Sequence, residues 1–393
     1  MNIGVVIKIY KEIYNLLFMF DLAKHKAWLN NVFKFKPIFL PTSNDVQGIS
    51  NNVFISSSSY PIVSFGPSVS NQSFDFNQLF GKPYKSIIKY FLSSIHGRIS
   101  SFVYARNIEK IQEIGMSYKP INVEMYLKRK PNYTYSKLSH ITVPIGPIGN
   151  LRFIKEQENP SIPKKVDSLY NEKINSIIGI SELYSRGFDN YYITRLFSIG
   201  ILGRRKKLVP TRWSITAIDD ILSKLNIKKI RDYPFIRDIY VFDSSFLYNQ
   251  FVVLMIPGIW EFENFEAWDK HTTWGAANTI ITEEYEDARG RKKYAELQVG
   301  GYYASRFSIT EYLTRIRRQA RVIVFREIYS GYKVPVGVWQ VRENVRNALS
   351  KKPMKFERLS DALSYVSTKL KFPLYMYVKK SRVLSKKTIL DYF

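Results

Sequence analysis

The residues best equipped for chemistry crowd into one short span. Glu261, Glu263, Glu266, Asp269, Glu283, Glu284, Glu286 and Asp287 stand within thirty residues of one another, with His271, Trp260, Trp268 and Trp274 among them. Clustered carboxylates can hold Mg²⁺ or Mn²⁺ for phosphodiester chemistry, or act as general acid and base. Glu263, Glu266, His271, Glu284 and Asp287 are then the candidate catalytic set. The other reading is that these acids pair with the chain's many arginines and lysines, since no D-x-D or H-E-x-x-H spacing selects a catalyst. The residues leave open whether the chain is an enzyme.

Two basic regions could meet a phosphate. Gly203-Arg204-Arg205-Lys206-Lys207, followed by Pro210-Thr211-Arg212-Trp213, gathers six cations around a loop and a helix start when Arg195 is counted. A ligand there would meet fixed positive charge, helix N-terminal N–H groups and the Trp213 ring as a stacking surface. The alternative is a solvated basic loop capped by Ser214 or Thr216. Further on come Arg306, Arg315, Arg317, Arg318, Arg321 and Arg326, then Arg342 and Arg346. Glu311 with Arg315, and Arg342 with Arg346, have the i,i+4 spacing that shares a helix face. Arg306, Arg318, Arg342 and Arg346 are the candidate phosphate anchors, because guanidinium groups fork onto phosphate or carboxylate oxygens. Set against the acidic span, they would close one polar cleft.

Composition narrows the partners. Lysine and arginine number 59 against 33 acids, a net charge of +26 that points to an anionic partner, nucleic acid foremost. No run of about 18 uncharged apolar residues is present to span a bilayer, so the expectation is a soluble cytoplasmic protein, associated with the nucleoid. The absence of cysteine removes disulfides, thiolate nucleophiles and cysteine zinc sites. His25, His96, His140 and His271 lack paired metal spacing. No metal ligand is therefore assigned, and any ion would be the Mg²⁺ or Mn²⁺ that carboxylates suit.

These side chains need positioning elements. Residues 1–40 read as a basic helical segment, with Val5, Ile9, Ile13, Leu16, Leu17 and Phe20 on one stripe. Short β runs occur at Val53–Ile55 and Ile62–Phe65, then at Ile121–Leu127 and His140–Val143. Pro83–Ser94 and Lys165–Leu183 read as helical, and Thr216 with Asp219 has capping-box spacing for a helix to Leu225. Ile239–Asp243, Phe251–Met255 and Val322–Phe325 are strong β runs, and Tyr294–Val299 reads as a strand ending at Gly300-Gly301. Tyr302–Gln319 and Val338–Leu349 read as helices. Gly300-Gly301 could admit a phosphate but fits neither G-x-G-x-x-G nor a P-loop. The class is α/β or α+β, a mixed sheet core with flanking helices, and the strand order does not follow from the sequence. Residues 41–381 form this core, with a subdomain division expected near 150–240, and 382–393 form a flexible tail.

Several uncommon words then occur in a fixed order: Tyr60-Pro61, Phe65-Gly66-Pro67, Pro210-Thr211-Arg212-Trp213-Ser214, Gly300-Gly301-Tyr302-Tyr303-Ala304-Ser305-Arg306, Arg317-Arg318-Gln319-Ala320, and Pro335 through Glu343. Over roughly residues 45 to 350 the chain resembles the archaeal Nre, or NreA-type, DNA-repair family. The resemblance implies a repair role linked to the sliding clamp, PCNA. Many members begin with a cysteine-rich zinc segment, which this chain lacks, so zinc-dependent DNA contact is not carried over. The end of the chain, Lys386 through Phe393, is similar to clamp-binding peptides. Ile389 takes the aliphatic position and Tyr392 and Phe393 the aromatic ones, while Lys386 stands where glutamine is usual.

The expectation is thus a DNA-repair protein that binds DNA through a basic surface and the clamp through its tail, with other repair proteins as further partners. Two alternatives stand beside it: a non-catalytic repair adaptor, and an RNA-binding or RNA-processing protein, because basic and aromatic surfaces do not separate DNA from RNA.

Overall fold

The computed structural model describes residues 43–72, 76–105, 108–132, 139–270, 272 and 279–385. The expected N-terminal helix, His271, and the tail residues Lys386, Ile389, Tyr392 and Phe393 lie outside them.

The chain is α+β, with two mixed sheets and eleven α-helices among the described residues. The first sheet is a closed barrel of β1 (Asp45–Ile55), β2 (Ile62–Ser70), β3 (Ile95–Phe102), β4 (Ile121–Leu127) and β5 (Ile148–Glu156), in the order β1-β2-β3-β5-β4. Closure comes from β1, whose first half pairs with β4 (Asp45 opposite Tyr126) and whose second half pairs with β2 (Ile55 opposite Phe65). Every pairing is antiparallel except β3 with β5. Period-two alternation sends Val53, Val63, Phe65, Val123 and Met125 into the barrel, where they pack into one apolar core.

Helix α1 (Tyr84–Ser93) precedes β3, and α2 (Glu109–Met116) sits between β3 and β4. Then α3 (Lys164–Asn171), α4 (Ser176–Ser185), α5 (Asn190–Ser198) and the twenty-residue α6 (Thr211–Ile230) lead into the second half.

The second sheet has the order β11-β6-β7-β10-β8-β9. Its strands are β6 (Ile239–Phe246), β7 (Asn249–Ile256), β8 (Glu261–Trp268), β9 (Ile280–Glu286), β10 (Arg321–Ile328) and β11 (Met354–Phe356). Only β8 and β10 pair in parallel. Both faces are covered. Phe251, Val253, Phe262 and Val324 pack with side chains of α6, α7 (Gly300–Ile316) and α8 (Trp339–Ser350). Val252, Leu254, Phe265 and Phe325 pack with α9 (Leu359–Lys369), α10 (Tyr375–Val378) and α11 (Arg382–Ser385). That double burial is why the β-branched runs 239–243, 251–255 and 322–325 are continuously apolar.

Four expected elements differ, the first being the 165–183 helix, which breaks at 172–175 into α3 and α4. Residues 140–143 are a bend and 294–299 a turn rather than strands, because their backbone bonds elsewhere: Val338 N–H donates to Ile141 O and Val299 N–H to Ala295 O. Helix α6 begins at Thr211 rather than Thr216, since Asp219 is buried against another helix and caps nothing.

Candidate nucleic-acid interface

The basic loop is stitched to the open end of the barrel. Leu208 N–H donates to Val103 O at 2.8 Å, and Ile55 N–H donates to the Thr211 hydroxyl at 2.9 Å, so residues 207–213 cross the ends of β1 and β3. Gly200 makes the approach feasible: its φ is +76°, and a Cβ there would sit 2.8 Å from Lys207 O. Pro210 occupies the N-cap of α6 with no side-chain cap, so Ser214 and Thr216 do not cap it as the solvated-loop reading supposed.

Around this seam Arg204, Arg205, Arg212 and Trp213 are exposed, and none of Arg204, Arg205, Lys207 and Arg212 has an ion-pair partner among the described residues. The Trp213 ring lies 4.8 Å from the ring of Tyr60, which the β1–β2 turn supplies. Lys207 Nζ donates to the Tyr60 hydroxyl at 3.4 Å. Two expected cations are engaged inside the protein. Lys206 turns inward and donates to Leu169 O, Glu172 O and Ile201 O at 3.2, 3.3 and 2.6 Å. Arg195 donates to Ser117 O at 2.8 Å and covers the Tyr192 ring, and burial draws its pKa down to about 10.

The arginines of the second half are mostly engaged. Arg306, fully buried on α7, pairs with Glu286 at 2.6 Å and with Asp220. Arg342 forks onto Asp219 through Nε and Nη2 at 3.1 and 2.7 Å. Arg346 bonds Glu311, Glu343 and Asn190. Glu311 therefore takes its arginine from α8, and Arg315 lies over the Tyr312 ring instead. Arg318 is half-buried and donates to Arg317 O.

The acidic span divides between the two faces of the second sheet, because residues three apart on a strand point oppositely. On the face under α7, Glu266 bonds Arg326 at 2.7 Å, Glu284 pairs with Arg291 and accepts Leu297 N–H, and Glu286 holds Arg306. On the other face Glu263 accepts the Arg382 N–H at 2.6 Å and the Ser381 hydroxyl at 2.5 Å, and burial raises its pKa to about 7. Asp287 lies beyond the end of β9 and bonds Arg289. The structure thus brings Glu266 and Glu284 to the same face as Arg306 and leaves Glu263 and Asp287 apart. Among the described residues no group of three or more His, Cys, Asp or Glu could hold a metal ion, and no helix is long and apolar enough to cross a membrane.

His96, marked in the sequence only by its lack of a paired metal spacing, lines a small, mostly apolar cleft on the outer wall of the barrel. Its signal was only the alternation of Ile95, Gly97 and Ile99 around single polar residues.

Comparison with known proteins places the chain. Residues 28–275 match the family described as archaeal Nre, N-terminal, and 286–393 match archaeal Nre, C-terminal. The chain is 34% identical over 352 residues to DNA repair protein NreB of Archaeoglobus fulgidus, covering 87% of this chain and 90% of that one. It is 37% identical over 267 residues to DNA repair protein NreA of the same organism, covering 67% and 68%. Against DNA repair protein NreA of Haloferax volcanii it is 33% identical over 277 residues, covering 69% and 66%. No solved structure matches it.

Proposed function

The chain belongs to the archaeal Nre family, and from that premise we propose that it is a DNA-repair factor that holds DNA on the basic, aromatic end of its barrel and docks on the sliding clamp, PCNA, through residues 386–393. The observation that carries the DNA half is the contrast between two sets of cations. Arg306, Arg342 and Arg346 are neutralised by carboxylates, whereas Arg204, Arg205, Lys207 and Arg212 have no such partner among the described residues, and Lys207 and Arg212 adjoin the Tyr60–Trp213 ring pair. Unpaired cations beside exposed rings can follow a phosphate backbone and stack its bases. The names of the relatives support the repair role.

The clamp half rests on the pattern Lys386, Ile389, Tyr392 and Phe393. The chain leading to it is anchored: Val383 is buried, and Arg321 donates to its carbonyl at 2.5 Å. A short peptide that orders on binding supports a micromolar affinity, about −8 kcal/mol. The engagement of Glu266, Glu284 and Glu286 by arginines supports an adaptor that brings DNA and clamp together over a catalyst working from those carboxylates. Deleting residues 386–393 tests the reading. Clamp binding should vanish while melting temperature and DNA binding persist; a large loss of melting temperature, with no clamp interaction in the full chain, would return the tail to a structural role.

A further inference from the structure

The barrel order β1-β2-β3-β5-β4, closed, with β3 and β5 its parallel pair and a helix set between β3 and β4, is the arrangement of the oligonucleotide-binding barrel. Such barrels take single strands on the outer face of strands 2 and 3, between the loops joining strands 1 to 2 and 4 to 5.

Which side chains occupy that face here follows from the alternation. Gly97 points inward, since a Cβ there would overlap the sulfur of Met125. His96, Arg98, Ser100 and Phe102 therefore point outward. Opposite them on β2, Ser68 pairs with His96, Ser64 with Ser100 and Ile62 with Phe102.

This wall holds unmet hydrogen-bonding capacity. Ser68 Oγ lies 2.7 Å from His96 Nδ1, while His96 Nε2 is buried without a partner. His96 lines a small, mostly apolar cleft with room for about 30 Å³, bordered by Asn52, Phe91 and, from the β4–β5 connection, Val143 and Pro144. His96 is 7% exposed, and burial, with Arg98 nearby, pushes its pKa down to about 3. A neutral ring keeps one donor and one acceptor nitrogen, so Nε2 offers whichever role Nδ1 does not use. Arg98 covers the Phe54 ring at 5.3 Å and has buried Nε and Nη2 atoms without partners. Beyond it Phe102 and Tyr104 are about half exposed, leading to the Tyr60–Trp213 pair and Lys207.

We propose that the outer face of β2–β3 binds single-stranded DNA, its path passing the His96 cleft and its bases stacking along Phe102, Tyr104 and Trp213. The proposal rests on the reading of this protein as DNA-binding and adds the strand form and the path. A single strand can turn its unstacked bases onto these exposed rings. A duplex keeps its bases paired and stacked on one another, so they cannot reach the exposed rings.

The test is fluorescence anisotropy of the full-length protein with a labelled oligothymidine strand, the matched duplex, and the RNA of equal length. The single DNA strand should bind at least tenfold more tightly than the duplex and more tightly than the RNA. Phe102→Ala with Tyr104→Ala, both at exposed positions, should weaken single-strand binding about tenfold or more. Equal affinity for strand and duplex, with this variant neutral, would overturn the proposal, as would tighter binding to RNA. If Arg204→Ala with Arg205→Ala still weakens duplex binding in that case, the broader reading survives the loss of this one; if no nucleic acid binds at all, both fail.

Discussion

Arg342 grips Asp219 with two hydrogen bonds, of 3.1 and 2.7 Å, and neither side chain reaches solvent. The pair ties α8 to α6 across the face of the second sheet, so an arginine that by type could anchor phosphate serves the fold. Removing one partner strands a buried charge, which costs about 3–5 kcal/mol, whereas replacing both with apolar residues of similar volume is often neutral. Arg342→Met alone should therefore lower stability by about that amount in urea titration, and adding Asp219→Leu should restore most of it. A folded double variant that no longer bound DNA would return Arg342 to the phosphate-anchor role.

Gly301 lies against the Glu266–Arg326 pair, and a Cβ there would overlap Glu266 Oε1. Because Arg326 also donates to Asn249 Oδ1 at 3.0 and 2.9 Å, little can shift to make room. Gly301→Ala should cost about 1–3 kcal/mol from overpacking, read as a lower urea midpoint. An unchanged midpoint would show that the network relaxes freely.

Burial raises Glu263 to about 7 from an ordinary value of 4.5. The folded chain thus holds this proton more tightly than the unfolded one. The contribution to stability is complete below the unfolded value and is lost as pH rises through about 7. Relative to Glu263→Gln, the natural protein should lose melting temperature between about pH 5 and about pH 8. The glutamine can still accept the Arg382 N–H and donate to Ser381. A constant difference between the two proteins across that range would mean that Glu263 does not titrate there.

What the sequence disclosed tracks the range of the interactions. The runs 251–255 and 322–325 were readable because a strand covered on both faces is apolar at successive positions. The barrel was not, because its closure pairs Asp45 with Tyr126 and Gly97 with Gly149, and no local pattern states such a register. Family words marked residues that pack: Gln319 receives Trp260 N–H and donates to Arg231 O and Tyr233 O, while Trp339 lies among Phe76, Phe91 and Phe246. The basic loop was found by its charge, yet which of its cations is free depended on where each side chain turned. Lys206 and Lys207 are neighbours in sequence, and only Lys206 is held by three carbonyls.

That difference gives a control. Lys206→Ala should lower the melting temperature, since three carbonyls lose their donor, and leave the salt dependence of DNA binding unchanged. A variant as stable as the natural protein but with a flattened salt dependence would place Lys206 on the phosphates instead.

The most direct measurement of the central claim, that DNA is held at the barrel end, is the slope of log affinity against log salt for the natural protein and for Arg204→Ala, Arg205→Ala, Lys207→Ala combined. Each phosphate left without its cation should make the slope shallower by about 0.9 on duplex or about 0.7 on a single strand. The account predicts a slope shallower by about 2 to 3, with the melting temperature unchanged. Parallel lines for the two proteins would contradict it and leave these three cations as solvated surface.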